Sequence, residues 1–260
     1  ISAGLRGEVW FGTTKGLVRF RNGQWGYRQG KRWVPNDIIQ SVQVDHHGHV
    51  WVATQTGIGV IRQQTMTLGE KAAHYEHEIE TYIKRTPFGY ISEVTLPEAG
   101  VKERIQYHDS DNDGLWTSMY GAGECFAFAA TGNHDAARRA HQAFRALAFL
   151  QKVTQGGAHP APKGYVARTI RSTTLPDPND GRFERDKRFA KERDSLWKVY
   201  EPRWPVSADG KWYWKSDTSS DELDGHFFFY PLYYDFVAQT EEEKMAVRKV
   251  VAALMDHLIL

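Results

Sequence analysis

Gly7-Glu8-Val9-Trp10-Phe11-Gly12-Thr13-Thr14-Lys15-Gly16 returns later in the chain as Gly48-His49-Val50-Trp51-Val52-Ala53-Thr54-Gln55-Thr56-Gly57. The offset is 41 residues at Gly7/Gly48, Val9/Val50, Trp10/Trp51, Thr13/Thr54 and Gly16/Gly57. Each copy reads as turn, short strand, turn, short strand, and the second strand is Leu17-Val18-Arg19-Phe20 or Ile58-Gly59-Val60-Ile61. Gln24 to Tyr27 and Ile38 to Asp45 add short strands between the copies.

Four short strands in roughly 40–45 residues is the period of a propeller blade. The Gly-x-Val-Trp core followed by Thr and Gly resembles the propeller repeats in the sensor regions of hybrid two-component regulators. The second copy departs by carrying Ala53 where the first has Gly12. Residues 1–68 are therefore expected to form a partial β-propeller of two repeats. Two repeats do not close a ring, which typically takes about 4–8 blades.

The whole chain has 260 residues, room for one large or two smaller domains at roughly 150 residues each. Lys and Arg number 33 against 32 Asp and Glu, so no one-sign field exists and a nucleic-acid surface has little support. No run of 18 apolar residues is present, so no helix is expected to span a bilayer. Cys125 is the single cysteine, which excludes an intrachain disulfide scaffold and a multi-Cys zinc site. It lies in an apolar stretch and is expected to be inert packing. Aromatic residues reach 13%, enough to build either a rigid core or a surface that stacks on flat ligands. The chain opens on Ile1 without a leader pattern and ends inside an amphipathic stretch, so it reads as an internal piece of a longer protein.

After the repeats the pattern turns helical. Leu68 to Arg85 carries apolar residues at helical spacing and reads as a linker helix. Phe88 to Leu96 and Val101 to His108 read as a hairpin. Leu115 to Ala130, closed by Thr131-Gly132, and Asp135 to Val153 read as antiparallel helices. Arg182 to Val199 is a charged helix. Ser220 to Gln239 is an aromatic helix containing Pro231. A capping box of Thr240 and Glu243 opens the last helix. Gln155 to Gly181 and Glu201 to Trp214 read as long loops. Helix pairs followed by aromatic loops suggest an α/α toroid over residues 69–260, incomplete and with a β-hairpin, behind the partial propeller.

Four constellations carry chemistry. Asp109, Asp111 and Asp113 with Gly114 have the spacing of a Ca2+ loop, although Tyr120 stands where an EF-hand needs an acid. The same cluster also fits a catalytic or sugar-binding loop, or a solvated turn capping the next helix. Ser219 or Ser220 as a cap puts Glu222, His226, Tyr230 and Tyr233 on one helical stripe, with Asp221 in the first turn. His159, Lys163 and Arg168 lie on a Gly/Pro-stiffened loop suited to an anionic or polyhydroxyl ligand. Trp212, Trp214 and Lys215, like Trp116, could stack on or hold a sugar; buried packing of the same rings is the competing reading.

Asp111-Asn112-Asp113-Gly114-Leu115-Trp116-Thr117, Lys211-Trp212-Tyr213-Trp214-Lys215 and Asp217-Thr218-Ser219-Ser220-Asp221-Glu222-Leu223-Asp224-Gly225-His226 resemble bacterial carbohydrate-active proteins of the six-hairpin, α/α-toroid group. The resemblance covers roughly residues 69 to 260 and implies a polysaccharide or oligosaccharide partner. It implies hydrolysis by paired carboxylates, Asp111 or Asp113 with Asp221, Glu222 or Asp224. The alternative is a lyase using His226, Tyr230, Arg168 and Lys163, and a third is a glycan-binding or sensor module without turnover. The toroid would need further helical hairpins, and the propeller further blades, from the same longer chain. An exported enzyme of this kind would be periplasmic or extracellular.

Overall fold

The computed structural model describes residues 1–108 and 111–259. It has a mixed β and α architecture, with antiparallel sheets and, among the described residues, six α-helices. The chain divides into two compact units, Ile1–His77 with Leu96–Gln106, and Glu78–Thr95 with Tyr107–Leu260. The boundary expected after residue 68 falls just where α1 (Leu68–Glu78) begins; all of that helix up to His77 goes with the first unit.

The first unit holds two sheets. One runs β1 (Ser2–Ala3), β2 (Val9–Thr13), β3 (Gly16–Arg21), β4 (Gln24–Arg28). The other runs β5 (Ile39–Val44), β6 (Val50–Thr54), β7 (Gly57–Ile61). All neighbours are antiparallel. The sequence repeat is a repeat of hydrogen bonds. Thr13 Oγ1 donates to Gly16 O at 2.8 Å, and Thr54 Oγ1 to Gly57 O at 2.7 Å. Gly4 N donates to Glu8 O at 2.8 Å, and Asp45 N to His49 O at 3.0 Å. Gly16 and Gly57 have φ of +98° and +155°, a region that side-chain-bearing residues rarely adopt.

Alternation decides how the sheets meet. Trp10 and Leu17 on one face of the first sheet form a single buried cluster with Val42, Val44, Val50, Val52 and Ile61 of the second. A Cβ on Gly12 would strike Ile39, so the sheets approach closely there. The tryptophan face of one copy thus packs on the valine face of the next. Trp10 is 1% exposed and its counterpart Trp51 is 46% exposed, because the second sheet covers the first tryptophan alone. No closed ring or barrel forms among the described residues.

In the second unit β8 (Lys84–Arg85) pairs with β9 (Tyr90–Ile91), which ends the helix expected to run through Arg85. Two more short strands follow, β10 (Val94–Thr95) and β11 (Gln106–Tyr107). His108 N donates to Glu93 O at 3.1 Å, so the chain does return beside itself as the hairpin reading expects. α2 (Asp113–Thr131) and α3 (His134–Lys152) are antiparallel, tied by Arg139 to Glu124 at 2.8 Å. Gly132, at φ +69°, closes α2, and the Asn133 side chain caps α3 by accepting from Asp135 N at 2.8 Å.

β12 (Ile170–Ser172) pairs with β13 (Trp212–Trp214) in stretches that read as loops. Three residues are too few to show a period, so the pairing exists only through the partner strand. α4 (Arg182–Glu192) is shorter than its pattern, because Asp194 accepts from Leu196 N at 2.9 Å and turns the chain. α5 (Ser220–Phe236) contains Pro231. α6 (Glu241–Ile259) starts at the expected capping box: Glu243 N donates to Thr240 Oγ1 at 3.2 Å and Thr240 N to Glu243 Oε2 at 2.9 Å. Among the described residues, no helix is long and apolar enough to cross a membrane.

The core of this unit gathers Phe144, Leu147 and Leu150 of α3, Phe229, Tyr230 and Tyr233 of α5, Leu254 of α6, Ile170 and Trp214. Glycines let α2 sit against α5 and α3. A Cβ on Gly121 would lie 2.6 Å from Phe229 and 2.8 Å from Ala143, and one on Gly225 would lie 3.0 Å from the Leu115 Cα. Gly123, two residues on, has nothing within 4 Å. Gly121→Ala is therefore expected to destabilise by about 1–3 kcal/mol through overpacking. Gly123→Ala should stabilise by about 0.5–1 kcal/mol through helix propensity. Urea unfolding of the two variants checks the contrast, and equal effects would refute this packing.

Candidate functional site

Three parts of the second unit converge: the start of α2, the start of α5, and the residues flanking β12 and β13. The strand pair extends beyond its named ends, with Lys215 N donating to Thr169 O at 3.0 Å and Arg168 N to Lys215 O at 3.1 Å. This carries Arg168, Thr169 and Lys215 to the two helix starts. Glu222, in the first turn of α5, reaches across and accepts from Leu115 N of α2 at 3.0 Å. A carboxyl of one helix thus caps the other.

Asp113 and Asp111 part company. Asp113 is fully buried; its Oδ2 is ion-paired with Arg85 and accepts from Thr169 Oγ1 at 2.5 Å. Arg85 also donates to Ile170 O at 2.7 Å and to Thr169 Oγ1 at 2.9 Å. The Asp111 side chain is 46% exposed, is ion-paired with the buried Lys215, and its backbone O accepts from Arg168 Nε at 2.6 Å. Lys215 lies 3.4 Å from Asp217, which is paired with Arg203, and Arg203 reaches Asp186 at 2.6 Å. A chain of alternating charges thus runs from α4 to the loop before α2.

The α5 stripe is split. Glu222, His226 and Tyr230 are buried in one row, and His226 Nδ1 lies 2.9 Å from the Tyr230 hydroxyl. Tyr233 belongs to the other end, stacked on Phe144 at 4.7 Å and hydrogen-bonded to His141 at 2.6 Å. Burial pushes the Glu222 carboxyl up to about 8, aided by the nearby Asp113 and Asp221 charges and opposed by the Leu115 N–H and Arg168. Burial pushes His226 down to about 4 and raises the Tyr230 phenol. At neutral pH the row is an uncharged carboxyl, imidazole and phenol beside an ion-paired Asp113.

The remaining expected residues lie as follows. Asp221 is exposed, held below the usual carboxylate range chiefly by the Ser219 hydroxyl. Arg168 is half-buried beside the cluster, and Trp116 is half-buried near the start of α2. Trp212 packs between Phe88 at 5.7 Å and Phe149 at 6.1 Å, and Trp214 is 2% exposed with Tyr165 at 6.3 Å. Trp214 is part of the hydrophobic core, and Trp212 packs against that core while staying half-buried. His159 and Lys163 are exposed on a loop whose Gly164 sits against α6, and no described contact brings either to the carboxyls.

Of the Ca2+ ligands expected, Asp109 lies outside the described residues, and Asp111 and Asp113 each face a cation instead. Among the described residues no group of three or more His, Cys, Asp or Glu side chains is placed to hold a metal. The Cys125 thiol is buried and pushed up to about 12, chiefly by burial. Arg85, Thr169 and Arg203 carry no signal in the sequence, and Asp217 stands there only as the first residue of the motif that leads into α5. Arg85 reads there as one more residue of a linker helix, and nothing local marks it as a carboxylate partner.

No family model, curated protein or solved structure matches this chain.

The Glu222 shift has a consequence for stability. The folded chain keeps this proton up to about pH 8, and the unfolded chain releases it near the ordinary value of 4.5. The fold binds more protons across that window, so its stability falls as pH rises through it. His226 acts oppositely on the acid side, between its ordinary 6.5 and about 4. Glu222→Gln keeps the shape and removes the titrating group. The variant should gain stability relative to wild type between about pH 5 and pH 8. A wild-type-minus-variant difference that stays flat in urea titrations over that range would contradict the shift.

Proposed function

We propose that this chain carries the acidic centre of a glycan-cleaving enzyme, a glycoside hydrolase with Glu222 as proton donor and Asp113 as its charged partner. One observation supports the reading above the rest. Two carboxyls from distant segments meet at facing helix starts in opposed environments, Glu222 neutral through burial and Asp113 ion-paired with Arg85. Glycosidic hydrolysis needs such a division, an acid for the leaving oxygen and a carboxylate for the anomeric side or its water. Asp111, Asp221 and Arg168 at the rim, with Trp116 near the start of α2, would meet the sugar hydroxyls. The 41-residue repeat and the helical hairpins fit two blades of a partial β-propeller and part of an α/α toroid, and further blades and hairpins of a longer, exported chain belong to the same proposal.

The burial of both carboxyls favours a second reading, a glycan-binding or sensor module in which the rim engages the ligand and nothing reacts. Incubation with a panel of neutral and acidic polysaccharides separates the two. Hydrolysis releases reducing ends without ultraviolet absorbance; unsaturated, absorbing ends would mark a lyase, and binding without turnover the module. Glu222→Gln and Asp113→Asn should each lower turnover by roughly 100-fold or more. Full activity in both variants would sink the assignment.

A further inference from the structure

Each sheet of the first unit buries one face against the other and leaves its second face open. Directly opposed residues of an antiparallel pair share a face. Trp10 with Arg19, and Gly12 with Leu17, therefore look toward the second sheet. Val9 with Phe20, Phe11 with Val18, Phe20 with Trp25, and Val18 with Tyr27 look away from it. In the second sheet Val42 with Val52, and Val50 with Ile61, look toward the first. Trp51 with Val60, and Ala53 with Ile58, look away. Both outward faces are apolar and open: Trp25 and Tyr27 are 59% and 65% exposed, and Ile58 is 72% exposed. The Trp25 ring lies 4.6 Å from Phe20 and 5.7 Å from Phe11, so the outward face of the first sheet is one continuous patch.

The 41-residue offset relates these two open faces to the interface the chain already makes. The buried face of the second sheet carries Val44, Val50, Val52 and Ile61. The positions 41 residues earlier, on the open face of the first sheet, are Ala3, Val9, Phe11 and Phe20. The buried face of the first sheet carries Trp10 and Leu17. The positions 41 residues later, on the open face of the second, are Trp51 and Ile58. One charge interrupts the buried tryptophan face, Arg19, which lies 4.0 Å from Glu8; its counterpart on the open face is Val60. The open pair is thus at least as apolar as the pair that already packs.

We propose that the open faces join one molecule of this chain to another: the Trp51–Ile58 face of one molecule receives the Phe11–Phe20–Trp25 face of the next, repeating the packing of the second sheet on the first. A second molecule is the occupant favoured because one chain presents both halves of the joint, each matched position by position to a half already buried. The joint uses unlike patches on its two sides, so it is head to tail and continues from molecule to molecule until it closes. A ring of about 4–8 blades, two from each molecule, closes with about 2–4 molecules. Further blades of a longer chain compete for the same faces. The proposal rests on the repeat and not on the hydrolase reading.

Sedimentation equilibrium of the full chain over a concentration series tests this without any substrate. Wild type is expected to assemble reversibly into species of about 2–4 molecules. Ile58→Glu puts a charge on one side of the joint and Tyr27→Glu on the other. Each alone should weaken assembly by roughly 100-fold or more and leave single molecules. Both positions are open within one molecule, so neither change should disturb its fold, and circular dichroism checks this. Mixed together, the two variants should form one-to-one pairs, because each supplies the face the other has lost. A wild-type chain that stays single at every concentration overturns the proposal and leaves the faces to further blades or to another partner. Assembly that survives both substitutions overturns it too, as does a mixture that fails to pair, which would mark a two-fold contact between like faces. If one variant does not fold, the wild-type series and the other variant decide. Turnover is not read, so this outcome stands apart from the fate of the hydrolase reading.

Discussion

α2 and α5 approach closely because facing positions lack side chains. Gly114 and Gly121 on α2 and Gly225 on α5 each leave space that a single Cβ would overfill. That contact places the Glu222 carboxyl on the Leu115 N–H and the His226 ring on the Gly114 backbone. It also excludes water from both, which is what moves their proton affinities. The chemistry attributed to this region is thus a consequence of helix packing. Any change that separated the helices would return the carboxyl and the imidazole to ordinary behaviour before it altered a functional group.

Charge closes the region from its other sides. Arg85, Thr169 and Asp113 form one knot around the buried Asp113, and Lys215, Asp217, Arg203 and Asp186 form a second, longer one that ends on the exposed Asp111. Buried pairs of this kind contribute little net stability over apolar packing, but removing one partner strands the other and typically costs about 3–5 kcal/mol. Their value here is positional. They hold a loop, a strand pair and two helix starts in one register, as a set of packed alkyl groups would not.

In the first unit the same residues make the same bonds twice and still meet different surroundings. Thr13 and Thr54 close equivalent turns, and Trp10 and Trp51 occupy equivalent strand positions. One tryptophan is covered and the other open, because sheets stacked face to back always leave two unlike outer faces. Local sequence governs the hairpin; the neighbour governs the burial.

Much was legible beforehand because it depends on near neighbours along the chain. The hairpin repeat, the Gly132 closure, the Thr240–Glu243 cap, the main helices and the Glu222–His226–Tyr230 row all follow from spacing and short-range hydrogen bonds. The β12–β13 pair, the place of Trp214 in the core with Trp212 against it, and the separation of Asp111 from Asp113 were not legible. Neither was Arg85 as the partner of Asp113, since a strand of three residues has no readable period and an arginine's partner is set by whatever lies across the fold. Sequence by itself determined which groups could titrate and which faces they shared; tertiary structure decided which lost their water and which met a counter-charge, because desolvation and ion pairing act through space between segments far apart in the chain.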